Sequence, residues 1–243
     1  MKNTQVIPIS YSSFLDSSII NLRCSDSSRI FKVHEALLQS KGGAIYAAFS
    51  GTYKEGTERT YIFKETAEGI LLRYIEWAYR DDYPHVLNPD KSTASKDTNL
   101  PCGGDEEWKI DANNPLLCHV KMYIFADTYL IAELKSLSFE KITKYLKEEG
   151  TLIKIDSQLA VIRMLDFASS NLLPDDDLLH WLGIYATWCL ERLREQPAFH
   201  DIAGKLVMYI VRYARQSSTA PWELSMPISK FPMYEPKRVN KEG

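Results

Sequence analysis

The sequence has few cysteines and no long hydrophobic run, and each absence argues against a class of protein. Its four cysteines are spread over 243 residues without a CxxC pair, so their spacing predicts neither a zinc knuckle nor a disulfide framework. Free thiols are typical of the cytoplasm and nucleus, which is where we expect this chain. The longest apolar stretch, residues 178–190, is shorter than the roughly 20 residues of a membrane span, so we expect no membrane partner.

Neither charge nor sequence motifs indicate a nucleic-acid partner or catalysis. The formal net charge is -3 and there is no local basic run, so we expect no nucleic-acid binding. The glycine pairs at 42–43 and 103–104 lack the spacing of a phosphate-binding loop, and no GxSxG motif or recognisable catalytic triad is present. We therefore predict a non-catalytic protein with no cofactor and no bound metal.

What the sequence does contain is a small sheet pattern near its N-terminus. Alternation of apolar and polar residues predicts three short strands, over residues 19–24, 29–33 and 60–63. The polar residues Ser25 to Ser28 lie between the first two and predict a hairpin turn. In the third strand, Tyr61 is expected on the same face as Phe63.

Helical spacing accounts for most of the remaining chain. It begins at His34, is interrupted by Gly42 and Gly43, and therefore predicts two short helices before a loop over residues 51–59. Longer helices are predicted over residues 65–79, 116–129, 131–147, 157–169, 174–195 and 197–215. Within the first of these, the periodicity places Arg73 on the side that faces water.

Breaks in periodicity divide the chain into four regions. They are a flexible segment at 1–15, a globular domain at 16–149, a helical extension at 150–215 and a Pro-rich tail at 216–243. A polar stretch at 84–115 interrupts the globular domain. We interpret it as an insertion, because the helices that follow it complete the same core.

The isolated titratable residues have ordinary structural interpretations. His34 lies where a strand meets a helix and His119 lies within a helix, so both are expected to be structural rather than ligands or bases. Asp175, Asp176 and Asp177 are expected to stabilise the start of a helix. Consecutive helical residues point about 100° apart, so the three carboxylates are not expected to share a metal ion.

Two separate blocks of the sequence, in the same order, resemble the BTB/POZ family. The first block consists of Asp16, Val33, His34, Leu37, Leu38, Ser40, Phe49 and Glu55. The second consists of His119, Tyr123, Ala126, Asp127, Tyr129 and Leu134. Between them, residues 78–83 match a family segment that usually carries glycine at the position of Asp81.

The resemblance implies a fold and a function. The implied fold is α+β, a BTB/POZ-like small mixed sheet flanked by helices, followed here by an all-helical C-terminal extension. The extension and the polar insertion resemble the short BTB proteins of filamentous fungi. BTB domains are protein-interaction modules, and many dock cullin-3 to present a recruited substrate for ubiquitylation.

The resemblance therefore implies a ubiquitin-ligase adaptor with partners that are proteins. Partner contacts are expected at Tyr79, Asp82, Tyr83, Tyr123, Asp127 and Tyr129. The alternative is a self-associating scaffold or transcriptional co-regulator, a homo-oligomer that does not bind cullin-3. An aromatic stripe at Trp181, Tyr185 and Trp188 lies on one helical face, and its spacing fits either a core or a docking surface, with core the commoner outcome.

Overall fold

The computed structural model of the chain describes residues 14, 16–49, 53–85, 87, 114–214 and 218–223. Nearly all of the predicted N-terminal segment, most of the polar insertion and most of the Pro-rich tail lie outside the described residues. The chain divides into two compact units, Met1–Lys135 and Ser136–Gly243. The first unit contains the sheet, and the second is helical wherever it is described as regular structure.

The three predicted strands are confirmed and form one mixed sheet. They are β1 (Ile19–Cys24), β2 (Phe31–His34) and β3 (Thr60–Phe63), in the order β2-β1-β3. β1 pairs antiparallel with β2, as the hairpin turn predicts, and parallel with β3. Ile20, Leu22 and Cys24 alternate along β1 and are completely buried, so one face of the central strand belongs to the core.

Helices surround this sheet in the first unit and make up the second. In the first unit they are α1 (Glu35–Lys41), α2 (Gly43–Phe49), α3 (Lys54–Glu58), α4 (Glu68–Arg80) and α5 (Pro115–Thr128). Helix α6 (Ala132–Glu149) contains the boundary between the units. The second unit continues with α7 (Ile155–Asn171), α8 (Asp177–Trp188), α9 (Leu190–Leu193), α10 (Pro197–Tyr213) and a one-turn 3₁₀ helix (Pro221–Glu223). The described chain is thus α+β.

Local chemistry sets several of these helix boundaries. α5 begins where the side chain of Asn114 accepts hydrogen bonds from two backbone N–H groups and Pro115 occupies the first turn. α8 begins at Asp177 because the Asp176 carboxylate accepts from the Leu178 N–H at 2.9 Å. α6 ends before Gly150, which adopts φ 60° as a helix-terminating glycine does.

The core of the first unit is an aromatic cluster between the sheet and two helices. Phe125 of α5 lies 5.8 Å from Phe63 of β3 and 5.1 Å from Tyr74 of α4, measured between ring centroids. Tyr129, just after α5, adds contacts at 5.3 Å to Phe63 and 4.7 Å to Phe125. Edge and tilted contacts of this kind stabilise beyond the area they bury, so this cluster fixes α4 and α5 against the sheet.

The core of the second unit depends on a close helix approach. A side chain at Gly183 of α8 would place its Cβ 2.6 Å from the Cβ of Tyr209 on α10, so only glycine fits there. The Tyr209 hydroxyl donates to the Pro174 carbonyl at 2.7 Å, and the Tyr185 hydroxyl donates to the Gly150 carbonyl at 3.0 Å. These bonds satisfy the polar ends of two buried aromatic side chains.

Three expectations from periodicity are wrong. The predicted loop over residues 51–59 contains the short helix α3. The predicted helix over residues 174–195 begins only at Asp177 and is interrupted at Cys189, after which α9 forms a separate turn. Arg73 is 7% exposed rather than facing water. Its guanidinium donates to the carbonyl oxygens of Pro84, His85 and Gly69 at 2.8–3.0 Å, so burial is compensated by hydrogen bonds that periodicity does not reveal.

Candidate interaction surface

The C-terminal end of α4 carries the first of the predicted partner contacts. Tyr79 is 38% exposed, and its hydroxyl lies 2.8 Å from Nδ1 of His34. The same hydroxyl accepts the backbone N–H of His34 at 3.3 Å. His34 is therefore held by Tyr79 at the start of α1, which agrees with a structural histidine, while one side of the Tyr79 ring remains open to solvent.

Asp81 ends α4 in a left-handed conformation, with φ 59°. This is the backbone region that glycine enters without cost and that Asp tolerates better than most residues. The Asp81 carboxylate forms an ion pair with Lys41, whose ammonium also lies 5.2 Å from the centre of the Trp77 ring. Burial lowers the pKa of Lys41, and the nearby Glu133 carboxylate opposes that shift.

The contacts of Lys41 show that two chain segments meet at one place. Asp81 at the end of α4 and Glu133 in the first turn of α6 both interact with it. Beside it, the Ala44 N–H donates to the Tyr129 carbonyl at 3.0 Å, which attaches the start of α2 to the turn after α5. The end of α4 and the turn between α5 and α6 are therefore neighbours.

Leu130 lies in that turn and adopts an unfavourable backbone conformation. Its backbone has φ 56°, a conformation that costs a residue with a Cβ about 1–2 kcal/mol. Its side chain is 75% exposed, so burial returns little of that cost. We name the surface formed by Tyr79, Asp81, Asp82, Asp127 and Leu130 the Leu130 surface.

Asp127 and Asp82 lie on this surface with different attachments. Asp127 is exposed and pairs with Lys135 at 2.6 Å, and the same ammonium lies 4.8 Å from the centre of the Tyr123 ring. Asp82 is exposed, and its Oδ1 accepts the Tyr83 N–H at 2.8 Å. Of the three aspartates, Asp127 lies next to Leu130, because its carbonyl oxygen accepts the Leu130 N–H at 3.2 Å.

The other predicted contacts lie beneath the surface. Tyr83 is 2% exposed, and its hydroxyl lies 3.1 Å from Nδ1 of the buried His119. Tyr123 is completely buried, and Tyr129 is half-buried among the core aromatics. Burial raises the pKa of Tyr129, while a hydrogen bond with Thr66 opposes the shift. In this conformation Tyr83 and Tyr123 present no side chain to a partner, so they support the surface from below.

Sequence reasoning missed Leu130, which gives this surface its name, and Lys41, which pairs with Asp81 of the surface. Leu130 follows a helix that was recognised, but a leucine gives no sequence signal for a left-handed backbone. Lys41 looks like an ordinary basic residue in the last turn of a helix. Its ion pair with Asp81 follows only from how distant segments pack.

The aromatic stripe in the second unit is core rather than docking surface. Trp181 is 8% exposed and Tyr185 is completely buried, with their rings stacked at 5.8 Å. Trp188 is half-buried and contacts Trp222 of the 3₁₀ helix at 5.0 Å. Trp222 belongs to the region predicted as a Pro-rich tail, so the 3₁₀ helix Pro221–Glu223 of that region packs against α8.

The described residues hold no group of three or more His, Cys, Asp or Glu side chains placed to share a metal ion. Burial raises the pKa of the Cys24 thiol to about 11 and that of Cys189 to about 12, so both are protonated at neutral pH. Among the described helices, none is both long and apolar enough to cross a membrane.

Neither a comparison with protein-family models nor one with curated protein sequences finds a match to this chain.

Proposed function

We propose that this chain is a BTB/POZ-like protein-interaction module that presents the Leu130 surface to a protein partner. The observation that carries the proposal is Leu130 itself. A leucine held at φ 56° with 75% of its side chain in solvent costs folding free energy and contributes little to the core. The left-handed backbone itself ends α5, where the Ile131 N–H donates to the Ala126 carbonyl at 2.8 Å. Glycine or asparagine would fit that position at lower cost, so a large exposed apolar side chain there favours a contact with a partner.

The surroundings of Leu130 fit a contact surface. The exposed part of the Tyr79 ring adds a second apolar contact, and tyrosine is enriched at the energetic centres of interfaces. Asp81, Asp82 and Asp127 provide a polar rim, in which Lys41 pairs with Asp81 and Lys135 pairs with Asp127. The backbone of the surface is fixed by Lys41 and by the Ala44–Tyr129 hydrogen bond, so binding requires little ordering.

The resemblance to the BTB/POZ family supplies the expected partner, cullin-3, and a recruited substrate for ubiquitylation. Two structural details support the resemblance. The family's usual glycine position is occupied here by Asp81, whose left-handed backbone is the reason that glycine suits it. The small sheet, the paired short helices α1 and α2 and the helix pair α5 and α6 occur in the expected order.

The test is light scattering coupled to size-exclusion chromatography, with the chain alone and mixed with the N-terminal domain of cullin-3. The informative variants are Leu130→Asn and Asp82→Asn, because Asn tolerates a left-handed backbone and keeps the oxygen that accepts the Tyr83 N–H. Ile30→Asn is the matched control, since Ile30 is 53% exposed elsewhere on the same unit. Tyr83→Ala is unsuitable, because it would open the core.

A complex that Leu130→Asn weakens by about tenfold or more, and that Ile30→Asn leaves intact, is the expected result. A complex that tolerates both Leu130→Asn and Asp82→Asn would place the contact elsewhere and reject the surface. If wild type forms no complex, the cullin adaptor function is rejected. The alternative, a self-associating scaffold or co-regulator that does not bind cullin-3, would then remain.

A further inference from the structure

Helix α10 carries an apolar stripe on the side away from its core. Leu206 and Tyr209 are buried, whereas Val207, Met208 and Val211 are 51%, 73% and 71% exposed. At about 100° per residue, these three side chains and Gly204 share one face of the helix. A surface helix of a globular protein normally presents polar residues there, so this face is unusual for a free surface.

Gly204 leaves a depression in this face, because glycine has no side chain. The residue is exposed, and within the described part of the chain no atom outside the adjoining turns of its own helix lies within 4 Å of the position that a Cβ would take. Glycine inside an exposed helix costs about 1 kcal/mol relative to alanine, and no contact among the described residues requires it here. The absence of a side chain lets the backbone of another helix approach closely between Val207 and Met208.

Two opposite charges lie along one flank of the stripe. Asp201 and Arg212 are both exposed, and neither forms an ion pair with any residue that the structure describes. They are eleven residues apart, which places them about 20° apart around the helix and about 16 Å apart along it. The acidic residue lies towards the N-terminal end of α10 and the basic residue towards its C-terminal end.

We propose that α10 pairs with α10 of a second copy of this chain, face to face and antiparallel. A two-fold axis perpendicular to both helices brings the same flank of each copy together with its order reversed. Asp201 of each copy then lies opposite Arg212 of the other, and the two apolar stripes pack across Gly204. A parallel pair would bring opposite flanks together and separate these charges. The inference rests on the second unit alone and does not depend on the function proposed above.

The interface is small. Three exposed apolar side chains and a glycine offer much less than the roughly 800 Å² per partner of a standard interface. We therefore expect a weak dimer, with a dissociation constant of roughly 10–100 µM. Sedimentation of the full chain between about 5 and about 500 µM spans that range.

Charge exchange tests the antiparallel arrangement directly. Asp201→Arg alone puts two positive charges at each contact, and Arg212→Asp alone puts two negative charges there. Each variant is expected to dimerise at least about tenfold more weakly than wild type. Mixing the two variants in equal amounts restores both opposite-charge pairs, so a heterodimer is expected. The double variant Asp201→Arg, Arg212→Asp should also recover self-association.

A second pair of variants tests the apolar stripe. Met208→Lys should abolish the dimer, whereas Ile153→Lys should not, because Ile153 is 80% exposed but lies outside α10. Both positions are exposed, so thermal melting should be unchanged in both variants. Leu130→Asn should leave the dimer intact, which separates this inference from the interaction of the first unit.

Two results would overturn the proposal. One is a wild-type chain that stays monomeric up to about 1 mM, which would mean that another segment of the chain or a different protein covers the stripe. The other is a dimer in which Asp201→Arg and Arg212→Asp do not recover on mixing. That result would exclude the antiparallel pairing even if α10 takes part.

Discussion

Two leucines in left-handed turns provide a matched test of which residues belong to the fold. Leu130 has φ 56° and is 75% exposed, whereas Leu152 has φ 57° and is completely buried. The backbone cost is therefore the same, and only the burial differs. Replacing each by Asn, which tolerates the left-handed region, separates the two contributions to the free energy of unfolding.

At Leu130 the relief of strain should equal or exceed the lost burial. Full burial of a leucine side chain contributes about 1.5–3 kcal/mol, so a side chain that is one-quarter buried contributes about 0.5 kcal/mol. The left-handed backbone costs leucine about 1–2 kcal/mol, and Asn relieves part of that cost. Leu130→Asn is therefore expected to leave the free energy of unfolding unchanged or to raise it by up to about 1.5 kcal/mol.

At Leu152 the lost burial of the side chain outweighs the relief of backbone strain. Removing a buried leucine costs about 2–5 kcal/mol, and burying an amide adds to it, so Leu152→Asn should lower the free energy of unfolding by at least about 3 kcal/mol despite the relief of strain. Urea unfolding followed by circular dichroism measures both variants. Hydrogen exchange by mass spectrometry assigns each change to its own unit, because the two residues lie in different units.

The refuting result is a large loss at Leu130. If Leu130→Asn costs more than about 1.5 kcal/mol, the side chain contributes to the fold, and its exposure no longer argues for a partner. A cost below about 1 kcal/mol at Leu152 would contradict its burial instead. Either outcome would show that the free-energy contributions of backbone strain and side-chain burial are assigned wrongly at that leucine.

Three further predictions concern packing, charge and thiol reactivity. Gly183→Ala should destabilise the second unit by about 1–3 kcal/mol, because its Cβ would collide with Tyr209 of α10. Gly204→Ala should instead stabilise that unit by up to about 1 kcal/mol, because no described residue outside its own helix lies within 4 Å of the added Cβ. Thermal melting compares the two variants, and equal effects would contradict the close approach at Gly183. The Glu35 carboxylate accepts hydrogen bonds from Arg59 at 2.6 and 3.1 Å, and these bonds lower the pKa of Glu35. The stability that this pair contributes is therefore fully present above the ordinary carboxyl pKa of 4.5 and is lost as the pH falls below that value. Glu35→Gln should therefore lower stability at pH 7 by about 0.5–1 kcal/mol and by progressively less below about pH 4.5, and a difference from wild type that does not vary with pH would contradict this pair. Cys189 is buried, and burial raises the pKa of its thiol to about 12. Maleimide labelling of Cys189 at pH 7, mapped by mass spectrometry, should therefore be slow in the folded chain and rapid in urea. Rapid labelling without urea would show that the structure around Cys189 opens.

Local sequence pattern was a reliable guide wherever one element determines its own structure. β1 and β3 have the predicted bounds because alternation of Ile20, Leu22 and Cys24, and of Tyr61 and Phe63, requires only a strand and one buried face. The break between α1 and α2 follows from adjacent glycines. The predicted Leu116–Tyr129 helix differs from α5 by one residue at each end.

Pattern failed where a side chain finds its partners in another segment. Arg73 was predicted to face water, because periodicity assigns a face to a residue but not the three carbonyl groups that can satisfy a buried guanidinium there. The resemblance to the BTB/POZ family, rather than local pattern, implied partner contacts at Tyr83 and Tyr123, and the structure places both side chains in the interior. An aromatic residue has the same sequence signature in a core as at an interface.

The sequence by itself determined the strands, most helices and the α+β class, because these depend on spacing within short windows. Only the tertiary structure decided what forms a surface. It left Leu130 exposed in a left-handed turn, paired Lys41 with Asp81, and left Val207, Met208 and Val211 of α10 exposed. Exposure is set by which distant segments pack together, and no local periodicity carries that information.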